Sequence, residues 1–173
     1  IPNLRICGWT QANMVKRQFL INLRNHRKIL VVDGRQAFFG GINIRAENVS
    51  RPDRPAIRDY HTAVEGPIVQ ELQYSFLRDW HFMTDDNPDQ LLQKTHFPKL
   101  SEAGPALVRT AGSGPTPDEI NILTDVFFEC LTAARRQALI ITPYFVPQPD
   151  ILQAFRAAAL RGVDIRLIIP AKN

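Results

Sequence analysis

Residues His26–Asn43 read HRKILVVDGRQAFFGGIN, with the spacing H-x-K-x4-D-x6-G-G-x-N. In a β-strand, residues two apart face the same side, so an extended His26-Arg27-Lys28 sets an imidazole and an ammonium next to each other. Ile29–Val32 is a β-branched apolar run of the kind that fills a strand. Asp33-Gly34 predicts a tight turn, and Ala37–Phe39 a returning strand. Gly40-Gly41 ends that strand where the backbone bends or another group comes close. Asn43 then falls at the same end as His26, giving a hairpin with His, Lys and Asn gathered beside two glycines.

These groups suit phosphoryl transfer. A neutral imidazole can attack phosphorus and hold it covalently. A Lys ammonium and an Asn amide can neutralise and hydrogen-bond the charge on the equatorial oxygens. No Asp/Glu cluster of the magnesium-binding kind surrounds the stretch, so no metal ligand and no cofactor is expected. A lone H-x-K would be an incidental feature of a buried hairpin. The Asp, the two glycines and the Asn in register weigh against that.

The stretch resembles the HKD motif of the phospholipase D superfamily. Asn25–Ile29 (NHRKI), Val32-Asp33-Gly34 and Gly40–Ile44 (GGINI) look most like bacterial cardiolipin synthases. The resemblance implies a metal-independent transfer through a covalent phosphohistidine, with His26, Lys28 and Asn43 lining the site. Asp33 is counted with the catalytic candidates as the motif's acid, although an Asp-Gly turn gives it a structural task. Members of the superfamily need two such motifs facing each other, and this chain has one. His61, His81 and His96 do not begin an H-x-K.

The chain has 173 residues, 45% of them apolar, which fits a globular protein with a core. A net charge of +4 suits an anionic lipid surface or a phosphodiester, and equally an ordinary solvated surface. Cys7 and Cys130 have no metal or redox spacing and read as buried thiols of a reducing compartment. No run of 18 apolar residues is present, so no membrane-spanning helix is expected. Ile1 and Asn173 are expected to be cut ends of a longer chain, since there is no initiator Met and no signal peptide.

Along the chain, a helix is expected around Gln11–Gln18 and a strand over Phe19, Ile21 and Leu23, leading into the motif. Ala46–Ala56 is a loop and Arg58–Glu65 a strand. Gly66-Pro67 opens a helix whose apolar stripe is Val69, Leu72, Phe76 and Trp80. Residues 82–104 form a long surface loop, with a short helix at Gln90–Lys94. Pro105–Thr110 reads as a strand. Thr116, Pro117 and Glu119 cap a second helix with the face Ile120, Leu123, Phe127, Cys130, Leu131 and Ala134. Ala138–Thr142 is a strand, Asp150–Arg161 a helix with Gly162 at its C-cap, and Val163–Ile169 a strand. That last strand–helix–strand unit implies parallel pairing. The fold class is α/β, a mixed β-sheet flanked by helices.

The later segments carry the resemblance too. Gly112–Pro115 (GSGP), Thr142–Pro147 (TPYFVP) and Arg161–Asp164 (RGVD) look like the start of the C-terminal half of a cardiolipin synthase. Two domains are expected: 1–104, the end of a first phospholipase D-like half, and 105–173, the start of a second that stops before its own motif. Asp59 matches a family position whose carboxylate hydrogen-bonds an active-site histidine; a plain strand acid is the alternative. Lys28, Asn43, Gly41 and Ser113 are the phosphate-binding candidates, with the helix after Ser113 adding its N-terminus; a plain loop is the alternative there. Tyr144 and Phe145 line an acyl or head-group channel, or, for Phe145, the core.

By this resemblance the expected activity is phosphatidyl transfer between phospholipids, with phosphatidylglycerol as substrate. The expected location is the cytoplasmic face of a bacterial membrane. The expected partner is a second motif from the rest of the chain or, less in keeping with the TPYF and RGVD segments, from a homodimer. The rival readings are a phospholipase D with water as acceptor, a related phosphodiesterase acting on nucleic acid, and a degenerate half that only binds. No nucleic-acid partner is expected, and the chain alone is expected to be catalytically silent.

Overall fold

The computed structural model describes residues 1–8, 26–112 and 121–171. The helix expected at Gln11–Gln18, the strand through Phe19–Leu23 and the Thr116 cap lie outside them. The chain forms two compact units, Ile1–Thr110 and Ala111–Asn173.

The first unit is built on three antiparallel strands, β1 (Ile29–Val32), β2 (Gln36–Gly40) and β3 (His61–Glu65), in the order β1-β2-β3. Ile29 pairs with Phe39 and Val32 with Gln36. Asp33 and Gly34 take φ of 53° and 63°, and the Arg35 N–H donates to the Val32 carbonyl at 3.0 Å. Positive φ at both central residues is the condition of a type I′ turn, which Asp-Gly meets cheaply. Alternation along β1 is clear: Ile29 and Val31 are half-buried, while Leu30 and Val32 are exposed.

The buried face packs on α1 (Ile68–Thr84), where Val69 and Leu72 meet Ala37 and are ringed by Ile29, Val31, Phe39, Val64 and Leu100. The expected stripe is corrected in its second half: Leu77 is buried and Phe76 is not. Helix α1 is about 26 Å long at 1.5 Å per residue. The sheet measures about 17 Å by 14 Å, so the helix overruns it. Among the described residues, its C-terminal half is held otherwise. Phe76 stacks on Trp80 at 6.0 Å, and the Arg5 guanidinium lies over Trp80 at 5.1 Å. Trp80 Nε1 and Arg5 both donate to the Asp86 carboxylate, at 2.8 and 2.7 Å. These two donors hold the Asp86 carboxyl below the usual range.

The single-turn helix α2 occupies Pro88–Leu91, earlier than expected, because Asn87 caps it by accepting from the Asp89 N–H and Pro88 fills its first position. The expected strand at Pro105–Thr110 does not form. That segment is exposed coil, tied down where Thr110 donates its N–H and its hydroxyl to Glu71, at 3.1 and 2.7 Å. Those bonds keep the Glu71 carboxyl below its ordinary value.

The second unit contains α3 (Ile122–Ala133), β4 (Gln137–Ile141), α4 (Pro149–Leu160) and β5 (Asp164–Ile168). β4 and β5 pair in parallel, from Gln137–Asp164 to Ile141–Ile168, with α4 as the crossover. The chain is therefore α/β with both kinds of pairing, antiparallel in one sheet and parallel in the other. Cys7 and Cys130 are both exposed, against expectation; α3 buries only Leu131.

Arg161 of the RGVD segment closes this unit. Its Nη2 donates to the carbonyls of Leu131 at 3.0 Å, Thr132 at 2.9 Å and Ala134 at 3.4 Å. These are the acceptors a helix leaves open at its C-terminus. Arg161→Met keeps the aliphatic stem and loses the donors. It is expected to lower the stability of this unit by about 1 kcal/mol in chemical denaturation. An unchanged unfolding midpoint would count against the capping role.

Candidate active site

The motif lies at one end of the three-stranded sheet. Residues 26–28 are an irregular lead-in, and β1 opens at Ile29. Since Ile29 pairs with Phe39, Lys28 stands alongside Gly40, and Gly40 pairs in turn with His61. Asn43 follows two residues after Gly41. His26, Lys28, Gly40, Gly41, Asn43, Asp59 and His61 thus converge on the same sheet end. His26, Gly40, Gly41, Asn43, Asp59 and His61 are exposed there, and Lys28 is half-buried.

Arg27, between His26 and Lys28, is anchored to the helix. Its Nη1 donates to both carboxylate oxygens of Asp79 on α1, at 3.0 and 2.9 Å. The Lys28 ammonium donates to the His26 main-chain carbonyl at 2.6 Å, so it stays beside the histidine. An ammonium has three donors, which leaves it two for an incoming anion.

The two glycines make room for β3. A Cβ on Gly40 would strike the Tyr60 carbonyl, sit 2.7 Å from the His61 Cα and sit 2.9 Å from its Nδ1. A Cβ on Gly41 would overlap the Asp59 carboxylate. The Gly41 N–H donates to the Tyr60 carbonyl at 2.9 Å, and Asp59 Oδ1 accepts from the Tyr60 N–H at 2.7 Å. The close approach expected at Gly40-Gly41 is made by Asp59, Tyr60 and His61, and it brings Asp59 to the motif.

Asp33 is not brought there. It forms the turn at the far end of β1, about 17 Å along the strand from Lys28, and its φ of 53° assigns it to the turn. Ser113 lies outside the described residues. Tyr144 and Phe145 are both exposed, so the core alternative does not hold for Phe145, although it packs edge-on against Phe155 at 5.7 Å. Two surface depressions of the first unit lie near the turn, one lined by Gln36, Phe38, Ala63 and Glu65, another by Asp33, Arg35, Gly66 and Ser101. Among the described residues, no group of His, Cys, Asp and Glu could hold a metal ion, and no helix is long and apolar enough to cross a membrane. Sequence reading missed Arg27 with Asp79, which the alternation of residues 26–28 could have suggested. It also set aside His61, which only strand pairing places.

The family described as "Cardiolipin synthase, PLD-like domain" matches residues 127–173. Cardiolipin synthase A of Pseudomonas aeruginosa is 38% identical over 166 residues, which is 95% of this chain and 33% of that protein. The cardiolipin synthase of Alkalihalophilus pseudofirmus is 42% identical over 179 residues, 98% of this chain and 35% of its own length. That of Geobacillus thermodenitrificans is 38% identical over 155 residues, 88% and 30% respectively. No solved structure matches the chain significantly. The chain is similar over most of its length to bacterial cardiolipin synthases, matches the PLD-like domain family over residues 127–173, and spans about a third of the length of the relatives it matches.

Proposed function

We propose that this chain forms the first-motif part of a phosphatidyltransferase of cardiolipin synthase type. The observation that carries the reading is the sheet end where His26 and Lys28 meet Gly40, Gly41 and Asn43, in a chain similar to proteins bearing that name. In this reading residues 1–104 end a first phospholipase D-like half and residues 105–173 begin a second.

The His26 imidazole attacks the phosphorus of phosphatidylglycerol. The phosphorus–oxygen bond to the glycerol head group breaks, and a second imidazole, from a second motif, protonates the departing alkoxide. The phosphatidyl group rests on His26. The same second imidazole then takes the proton of the hydroxyl of another phosphatidylglycerol, whose oxygen displaces His26. One glycerol leaves for each cardiolipin formed. Lys28 and Asn43 hold the non-bridging oxygens as charge builds. Asp59, against Gly41, steadies imidazolium. The substrate is presented at the cytoplasmic surface of a bacterial membrane.

The test is incubation of the full-length protein with phosphatidylglycerol vesicles. Cardiolipin and glycerol are expected in equal amounts, and EDTA is expected to leave the rate unchanged. Phosphatidic acid without cardiolipin would replace the transferase by a hydrolase. A rate lost to EDTA and restored by magnesium would reject the metal-free route. The 173-residue chain alone is expected to show no turnover, since one imidazole cannot be bonded to phosphorus and protonate the opposite oxygen in one step.

A further inference from the structure

His61 has no Lys two residues on and belongs to no motif, yet the fold returns it to the phosphoryl-transfer end of the sheet. It opens β3 and pairs with Gly40. Lys28 stands on the other side of Gly40, because the adjacent pair is Ile29–Phe39. The row across the sheet therefore reads Lys28, Gly40, His61: a cation, a bare backbone position and an imidazole. Adjacent strands are about 4.8 Å apart, so the two side chains flank a gap one residue wide.

Nothing but glycine fits at the centre of that row, since a Cβ on Gly40 would meet the Tyr60 carbonyl, the His61 Cα and Nδ1. The ring of His61 is thus held over the glycine backbone and is still exposed to an incoming group. The charged and titratable groups at this sheet end are His26 and Lys28 before β1, and Asp59 and Tyr60 in the lead-in to the strand of His61. Lys28 already gives one donor to the His26 carbonyl. A phosphodiester held there needs donors on its second side.

We infer that His61 is a phosphate-binding residue of this site, a ring N–H of its imidazole donating to a non-bridging oxygen of the phosphodiester opposite Lys28. The inference rests on reading the sheet end as a phosphoryl-transfer centre.

The experiment is a titration of the 173-residue chain with dimethyl phosphate, a diester whose charge is constant between pH 6 and pH 8, followed through the histidine ring resonances. His26 and His61 are expected to shift together with one saturation curve. His61→Gln is expected to weaken binding at pH 6 about five- to tenfold. Shifts at His26 with His61 unmoved would overturn the inference and leave the site reading standing. No shift at either would overturn both. Should His61→Gln not fold, the wild-type ring shifts decide alone. A folded His61→Gln chain with wild-type affinity would reduce His61 to a structural residue.

Discussion

Replacement of His26 by alanine in the full-length protein is expected to abolish cardiolipin formation, lowering turnover by roughly a thousandfold or more. The imidazole is the exposed group that meets phosphorus in this reading, and no neighbour on the sheet end can stand in for it. Lys28 cannot, since a protonated amine has no lone pair. His61 is tied over Gly40 on the far side of the row. The loss should extend to the covalent intermediate: rapid acid quenching should trap the phosphatidyl group on wild-type protein and not on His26→Ala. Lys28→Ala is expected to leave the intermediate detectable and slow its formation about a hundredfold or more, the scale of one preorganised charge-stabilising donor. Wild-type rates for His26→Ala would place the nucleophile elsewhere.

The second large effect concerns the glycine pair, and the two positions are expected to part company. A methyl at Gly40 meets backbone, the Tyr60 carbonyl and the His61 Cα, at a φ of 154° that other residues rarely adopt. Backbone cannot swing aside as a side chain can. Gly40→Ala is therefore expected to destabilise the first unit by about 2–4 kcal/mol, seen as a lower denaturation midpoint. The nearest atoms a methyl at Gly41 meets are those of the Asp59 carboxylate, which can turn away. Gly41→Ala is expected to fold with a cost of about 1 kcal/mol and to lose activity in step with Asp59→Asn. Equal destabilisation by the two substitutions would show that β3 can shift, and that Asp59 is not held by the fit against Gly41.

The hairpin was legible because its signals are local. An apolar run, an Asp-Gly turn and a second run fix register over residues 29–40 without help from the rest of the chain. The helix after Gly66-Pro67 and the β4–α4–β5 crossover were legible for the same reason. What escaped was set at long range. The extent of the Val69 stripe depends on how far the sheet reaches beneath the helix, which no periodicity contains. Pro105–Thr110 has the residues of a strand and no strand beside it among the described residues. At the proposed site, His26, Lys28 and Asn43 could be named from spacing, and Asp33 is kept from it by its own hairpin turn. That Asp59 and His61 lie at the same sheet end follows from β2 pairing with β3 across some twenty residues of intervening loop.

The Arg27–Asp79 clamp makes the orientation of the motif a property of a helix. The residue between His26 and Lys28 is fastened to the fourth turn of a different element. A screen of random substitutions scored only by product would therefore rank Asp79 among the active-site residues, although it never meets the lipid. Only a substrate-affinity measurement beside the rate would separate it from Lys28: Asp79→Asn should slow turnover by loosening the aim of the nucleophile, while charge for the phosphate is kept.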